Sequence, residues 1–288
     1  MRIGFNEANS KGCKDHSVMK DMELCEKYGF DLIDIQSECL DRDLEAGKVT
    51  LEEMGEFFRT HHLKMASYNA LCFFNMKPTQ EEKDAVLDQL REIVRRCKIL
   101  GCGMVVVVPS MDIKVEATID EIKADTVEVI KSMLPIVEPE GIKLSIEFVA
   151  APSMTINRFD EAYDIIKEVN HPLVGLTCDE YHFRNMGSTW ESLENADGSK
   201  IFVWHLNGCE NVPLGAPYNT DAKRTWPDDE KDCLNHKRIA DTFKKIGFSN
   251  DNCIIEIFRP EYWEMSQEEN VAKSAEITKA HVAKYWDC

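Results

Sequence analysis

Four side chains carry the strongest chemical signal in this sequence: Glu147, Asp179, His205 and Glu256. Two of them interrupt apolar runs, Leu144-Ser145-Ile146-Glu147-Phe148 and Ile254-Ile255-Glu256-Ile257-Phe258. A buried carboxylate is costly unless it is paired, hydrogen-bonded or coordinated. Either glutamate taken alone is explained equally well by an ion pair or a hydrogen-bonded core carboxylate. Three carboxylates and one imidazole together form an oxygen-rich donor set that suits one divalent ion. Mn2+, Mg2+, Co2+ and Zn2+ all accept such donors, and residue types do not choose among them.

Other polar residues surround this set. His182 follows Asp179 at D-x-x-H spacing, within reach of the same place, and is suited to binding substrate, supporting a ligand from behind or capping a helix. Arg259, in Phe258-Arg259-Pro260-Glu261, could hold a substrate oxygen or pair with a glutamate. Asn6, Glu7 and Asn69 carry less weight. Trp204 and Trp226 read as packing residues, although Trp226 lies in a long loop.

The elements that must position these groups follow a repeated join of amphipathic helix, glycine and apolar strand. It occurs at Tyr28-Gly29, Leu100-Gly101, Glu140-Gly141 and Ile246-Gly247, where glycine suits a left-handed helix cap. Eight candidate strands lie near 2–6, 31–36, 64–69, 104–109, 143–148, 173–178, 201–206 and 253–258. Most are apolar on both faces, as buried parallel strands are. Helical patterns fall near 16–28, 50–61, 80–100, 117–137, 158–169, 190–196, 236–246 and 268–285. Thr50 with Glu53 and Thr118 with Glu121 form capping-box signatures.

Eight strand–helix units over 288 residues predict one α/β domain, a (β/α)8 TIM barrel spanning 1–288. The competing architecture, an open doubly wound sheet, usually has a glycine-rich first turn, which Asn6-Glu7-Ala8-Asn9 lacks. In such a barrel the active site lies at the C-terminal strand ends. Glu147, Asp179, His205 and Glu256 are then the terminal residues of strands five to eight. The longest connection, from Asn207 to about Asn235, suits a binding segment or lid.

Composition narrows the function. A net charge of −18 argues against nucleic acid as a partner, because such binding draws on basic groups. No apolar stretch is long enough to span a bilayer, and the N-terminus turns polar at Asn6, unlike a signal peptide. The 11 cysteines are scattered, with no C-x-x-C pair, which suits a reducing, cytoplasmic setting. With no glycine-rich phosphate cradle and no dense basic cluster an unphosphorylated substrate is expected, with Lys223 and Arg224 in the long loop the one signal against it. A homo-oligomer is compatible with all of this.

The tetrad, with Asp179-Glu180-Tyr181-His182-Phe183, Trp204-His205-Leu206 and Glu256-Ile257-Phe258-Arg259-Pro260, resembles the xylose isomerase-like barrels of the sugar isomerase/epimerase superfamily. Within it the chain is most similar to the bacterial inosose isomerases (2-keto-myo-inositol isomerases) of inositol catabolism. That likeness extends over the whole chain, through Phe5-Asn6-Glu7-Ala8, Phe73-Phe74-Asn75, Met186-Gly187-Ser188 and Arg259-Pro260-Glu261-Tyr262. Two segments of the long loop depart from the family pattern. Asn207-Gly208-Cys209 stands where acidic residues are usual, and Trp226-Pro227-Asp228-Asp229-Glu230 where the family tends to carry Trp-Pro-Gly-x-Gly.

The resemblance implies a metal-dependent isomerase that moves a carbonyl between adjacent carbons of a cyclic polyol ketone through an enediolate. It implies Glu147 and Glu256 as the acid–base pair, with His182 and Arg259 holding oxygens. The same groups would serve a ketose 3-epimerase, an inosose dehydratase or, without turnover, a sugar-binding barrel. A DNA-repair endonuclease branch binds three metals with extra histidines at the ends of strands three and four. Here those places hold Asn69 and Pro109.

Overall fold

In the computed structural model, which describes residues 1–111 and 116–286, the strand–helix alternation closes on itself. The barrel strands are β1 (Arg2–Asn6), β2 (Leu32–Gln36), β3 (Lys64–Cys72), β4 (Met104–Val108), β5 (Lys143–Glu147), β6 (Val174–Asp179) and β7 (Ile201–Leu206). Two short strands, β8 (Gly208–Cys209) and β9 (Arg224–Thr225), precede the last barrel strand, β10 (Asn252–Ile255). All barrel neighbours pair in parallel, and β1 pairs with both β2 and β10. This closure rules out the open sheet.

The helices are α1 (Val18–Tyr28), α2 (Ser37–Glu45), α3 (Leu51–Thr60), α4 (Gln80–Leu100), α5 (Ile119–Val137), α6 (Phe159–Val169), α7 (Glu180–Asn185), α8 (Trp190–Glu194), α9 (His236–Ile246) and α10 (Gln267–Tyr285). Gly29, Gly101 and Gly247 end α1, α4 and α9 at φ 74°, 72° and 78°, the left-handed turn expected of them. Both predicted capping boxes form, and Thr79 with Glu82 and Ser266 with Glu269 form two more. The sequence reading missed α2 and α7. Each begins on the residue after a strand, so no glycine or proline announces it.

Side chains alternate across a strand, so residues two apart share the barrel interior. Ser145 and Glu147, Thr177 and Asp179, Val203 and His205, and Ile254 and Glu256 are four such pairs. The lower members fill the barrel: Ser145 and Thr177 share a 2.7 Å hydrogen bond, and Val203 and Ile254 pack with Phe202 in a cluster of their own. The upper members are the tetrad. β10 ends at Ile255, one residue short of Glu256. The Glu256 amide still donates to the Leu206 carbonyl at 2.9 Å, so strand pairing fixes it nonetheless.

Candidate metal centre and active site

The structure brings Glu147, Asp179, His205 and Glu256 together: all are buried, and one donor atom of each lies within 4.8 Å of the others. His205 Nδ1 is 2.9 Å from Glu147 Oε1 and 3.4 Å from Glu256 Oε2. Its Nε2 faces Asp34 Oδ2 at 3.0 Å. A carboxylate on one ring nitrogen orients the ring and frees the other as a donor. Asp34 is itself held, accepting from Ser67 Oγ at 2.6 Å and from Asn6 Nδ2 at 3.4 Å. Asn6 Nδ2 also donates to Glu256 Oε1 at 2.9 Å, so this rim residue steadies a ligand.

Arg224 completes the cluster. Its guanidinium is fully buried, with Nη1 2.5 Å from Asp179 Oδ2 and 3.4 Å from Glu256 Oε2, and Nε 2.7 Å from Asp221 Oδ1. Asp179 accepts further hydrogen bonds from the His182 amide at 2.8 Å and Asn207 Nδ2 at 2.7 Å.

Charge crowding shows in the ionisation of the group. Burial, reinforced by repulsion from Glu256, pushes the Glu147 carboxyl up to about 7 against the pull of His205. Burial acts the same way on Asp179, but Arg224, His182 and His205 outweigh it and hold that carboxyl well below the usual range. Burial opposes charge on His205, yet the Glu256 and Glu147 carboxylates and the bond to Asp34 raise its pKa well above the ordinary value. The carboxylates of Asp34, Glu147, Asp179 and Glu256 thus share one guanidinium and one imidazole. Such an excess of buried acid around one imidazole is what a divalent cation would neutralise. The donor set fits a metal ion.

The tetrad opens onto a cavity of about 230 Å³. Its lining combines polar residues, Glu147, Glu256, His182, Asn69 and Gln36, with apolar ones, Phe73, Val108, Met111, Met154 and Phe258. His182 Nδ1 accepts from the Ala150 amide at 3.1 Å, which leaves Nε2 as the proton-bearing nitrogen of the neutral ring. Burial keeps that ring neutral, its pKa lowered. Nε2 lies 3.1 Å from Arg224 Nη2. That contact ties the imidazole of His182 directly to the Arg224 guanidinium.

Not every expected residue arrives there. Arg259 is turned away from the cavity: Nη2 is 2.8 Å from Glu210 Oε1, and Nη1 donates to the Arg224 carbonyl at 2.9 Å. It braces the strand that carries Arg224, whose fully buried guanidinium lies against Asp179 and Glu256. Glu7 is spent elsewhere, accepting from the Gln36 amide at 2.7 Å. Trp204 and Trp226 pack as expected, Trp226 stacked on Tyr262 with ring centroids 4.6 Å apart.

The sequence reading did not connect Asp34 or Arg224 with the tetrad they contact. Asp34 carries the signal that exposed Glu147, an acid inside the apolar run Leu32-Ile33-Asp34-Ile35. Arg224 gave no such signal, because its position depends on how the loop from 207 to 235 folds.

A closed parallel barrel with a carboxylate–imidazole tetrad at its C-terminal rim is the architecture of the xylose isomerase-like barrels. The chain belongs to the xylose isomerase-like TIM barrel family, whose model matches residues 22–281. It is 37% identical over 287 residues to an inosose isomerase of Bacillus velezensis, covering 99% of both chains. An inosose isomerase of Bacillus licheniformis is 38% identical over 298 residues, again with 99% of each chain covered. The crystal structure of the IolI protein with a bound zinc atom superposes with a TM-score of 0.92 at 36% identity, covering 100% of both chains.

Proposed function

We propose that the protein is a divalent-metal-dependent isomerase that moves the carbonyl of 2-keto-myo-inositol, an inosose, to the adjacent carbon. The observation that carries this reading is the buried Glu147–Asp179–His205–Glu256 cluster, with two of its carboxylates facing a cavity sized for a small molecule. Full-length likeness to inosose isomerases supplies the substrate.

Glu147, Asp179, His205 and Glu256 would hold the metal, which when bound supplies Lewis-acid stabilisation of negative charge on neighbouring substrate oxygens. The rest of the chemistry falls to the chain. A carbonyl shift needs a base to take the proton from the carbon beside the ketone and an acid to return one at the former carbonyl carbon. Glu147 and Glu256 meet that need because both line the cavity and their donor atoms are close together. His182 Nε2–H and the Arg224 guanidinium then stabilise the enediolate oxygen charge. The apolar side chains of Val108, Met111 and Met154 in the lining limit the water around the reacting carbons.

No described helix is long and apolar enough to cross a membrane. The ten described cysteines are all free thiols, which supports a reducing, cytoplasmic setting.

The test is proton NMR of metal-loaded protein with 2-keto-myo-inositol. A second inosose isomer is the expected product. An unchanged ketone, with turnover of a ketohexose or loss of water from a related ketone instead, would reassign the reaction to a 3-epimerase or a dehydratase.

A further inference from the structure

Among the buried titratable groups outside the tetrad that take no part in the chemistry above, His236 is held on both sides by acids. His236 is the first residue of α9 and bridges two acids: Nδ1 is 2.7 Å from Glu180 Oε2 and Nε2 is 2.6 Å from Asp232 Oδ2. All three side chains are at least 97% buried, with 2%, 1% and 3% exposure for His236, Glu180 and Asp232. We propose that His236 is a positioning residue: clamped between Glu180 and Asp232, it fastens the β8–β9 loop to the barrel and thereby sets Arg224 against Asp179 and Glu256. The inference rests on the isomerase reading, in which Arg224 stabilises charge on the substrate.

One jaw of the clamp belongs to the metal centre. Glu180 follows Asp179 in the chain, and its Oε1 accepts from Trp204 Nε1 at 2.7 Å, Trp204 being the neighbour of His205. The other jaw organises the loop. Asp232 Oδ1 accepts from the Cys209 and Leu234 amides, each at 3.0 Å, and Oδ2 accepts from the Asp228 amide at 2.9 Å. Cys209 is the register partner of Arg224 in the β8–β9 pair. Gly208 is packed tightly between Asp232 and Thr225, the residue after Arg224. A Cβ on Gly208 would stand 2.4 Å from Thr225 Oγ1 and 2.8 Å from Asp232 Cγ.

A cation is what this bridge requires. Two buried carboxylates on opposite sides of one ring repel each other, and each needs a charged donor. Burial opposes charge on His236, but Glu180 and Asp232 outweigh it and push its pKa up to about 10. A neutral amide at this position satisfies one acid at most, so the loop comes free at the Asp232 side. Arg224 then loses its alignment while all four metal ligands stay in place.

The experiment compares wild type with His236→Gln and Asp232→Asn, the second keeping an oxygen for the loop amides. The clamp predicts metal stoichiometry equal to wild type and faster amide hydrogen exchange across residues 208–234. It also predicts a kcat for the ketone lower by roughly tenfold to a hundredfold, the scale set by small misplacements of a catalytic group. On an Arg224→Ala background, His236→Gln should cost less than about threefold further, because both changes remove one function. Losses that multiply across that pair would overturn the proposal. So would variants that keep wild-type kcat and wild-type loop exchange. A wild-type protein that leaves the ketone unchanged refutes the substrate reading instead, and loop exchange measured without substrate then decides the clamp.

Discussion

His205 shows how one side chain is made fit for its task. Its Nδ1 faces Glu147 and Glu256 because its Nε2 is held by Asp34, itself anchored by Ser67. Asp34→Asn keeps the shape and removes the charge that fixes the ring. Loss of such a partner behind a ligand typically weakens metal binding about tenfold to a hundredfold, and that range is expected here from chelator competition. Unchanged affinity would mean that the ring is held by packing alone. Arg259→Ala should loosen the strand that carries Arg224 without removing a group from the cavity, so it should lower kcat and quicken hydrogen exchange in the loop; a rise in KM alone, with loop exchange unchanged, would restore it to the substrate. All four tetrad residues were legible in the sequence because each is a polar residue at the end of an apolar strand pattern. Asp34 carried the same signal on a strand outside the four. Arg224 was not legible, since nothing local distinguishes it from Lys223 beside it.

At the scale of elements, the joins between helix and strand were the most readable part of the fold. Gly29, Gly101 and Gly247 each take the left-handed turn that their place after an amphipathic run demands. Thr79, whose hydroxyl accepts from the Glu82 amide at 3.2 Å, begins the 21-residue α4. Thr79→Ala should cost about 1 kcal/mol in denaturant unfolding, and no loss would show that the helix start is held by its packing. The β8–β9 pair was unreadable, because two-residue strands are made by distant contacts and not by pattern. Gly208 is its tight point. Gly208→Ala forces a methyl against Thr225 and the Trp226 carbonyl, so it should cost roughly 1–3 kcal/mol of stability and lower activity further by displacing Arg224. Full activity in that variant would show that the loop has slack.

For the whole molecule, two buried histidines with opposite shifts give stability opposite dependences on pH. Burial, with the charge on His236 nearby, lowers the His281 pKa to about 3, whereas His236 is pushed up to about 10. An unfolded histidine titrates near ~6.5. The depressed His281 contributes stability that is full above that value and is lost as pH falls toward 3. The raised His236 contributes stability that is full below it and is lost as pH rises through 10. Thermal midpoints should therefore peak between these limits, with His281→Gln flattening the acid limb and His236→Gln the alkaline limb. Limbs unaffected by either variant would assign the pH dependence to other groups.

The central claim, that Glu147 and Glu256 shift a carbonyl by moving a proton, is tested most directly by NMR of 2-keto-myo-inositol with metal-loaded protein in heavy water. The account predicts a new inosose carrying deuterium at the former carbonyl carbon, and a Glu256→Gln variant slower by roughly a hundredfold or more that still binds metal. A product that retains its original hydrogen in full, formed equally fast by the variant, would contradict it.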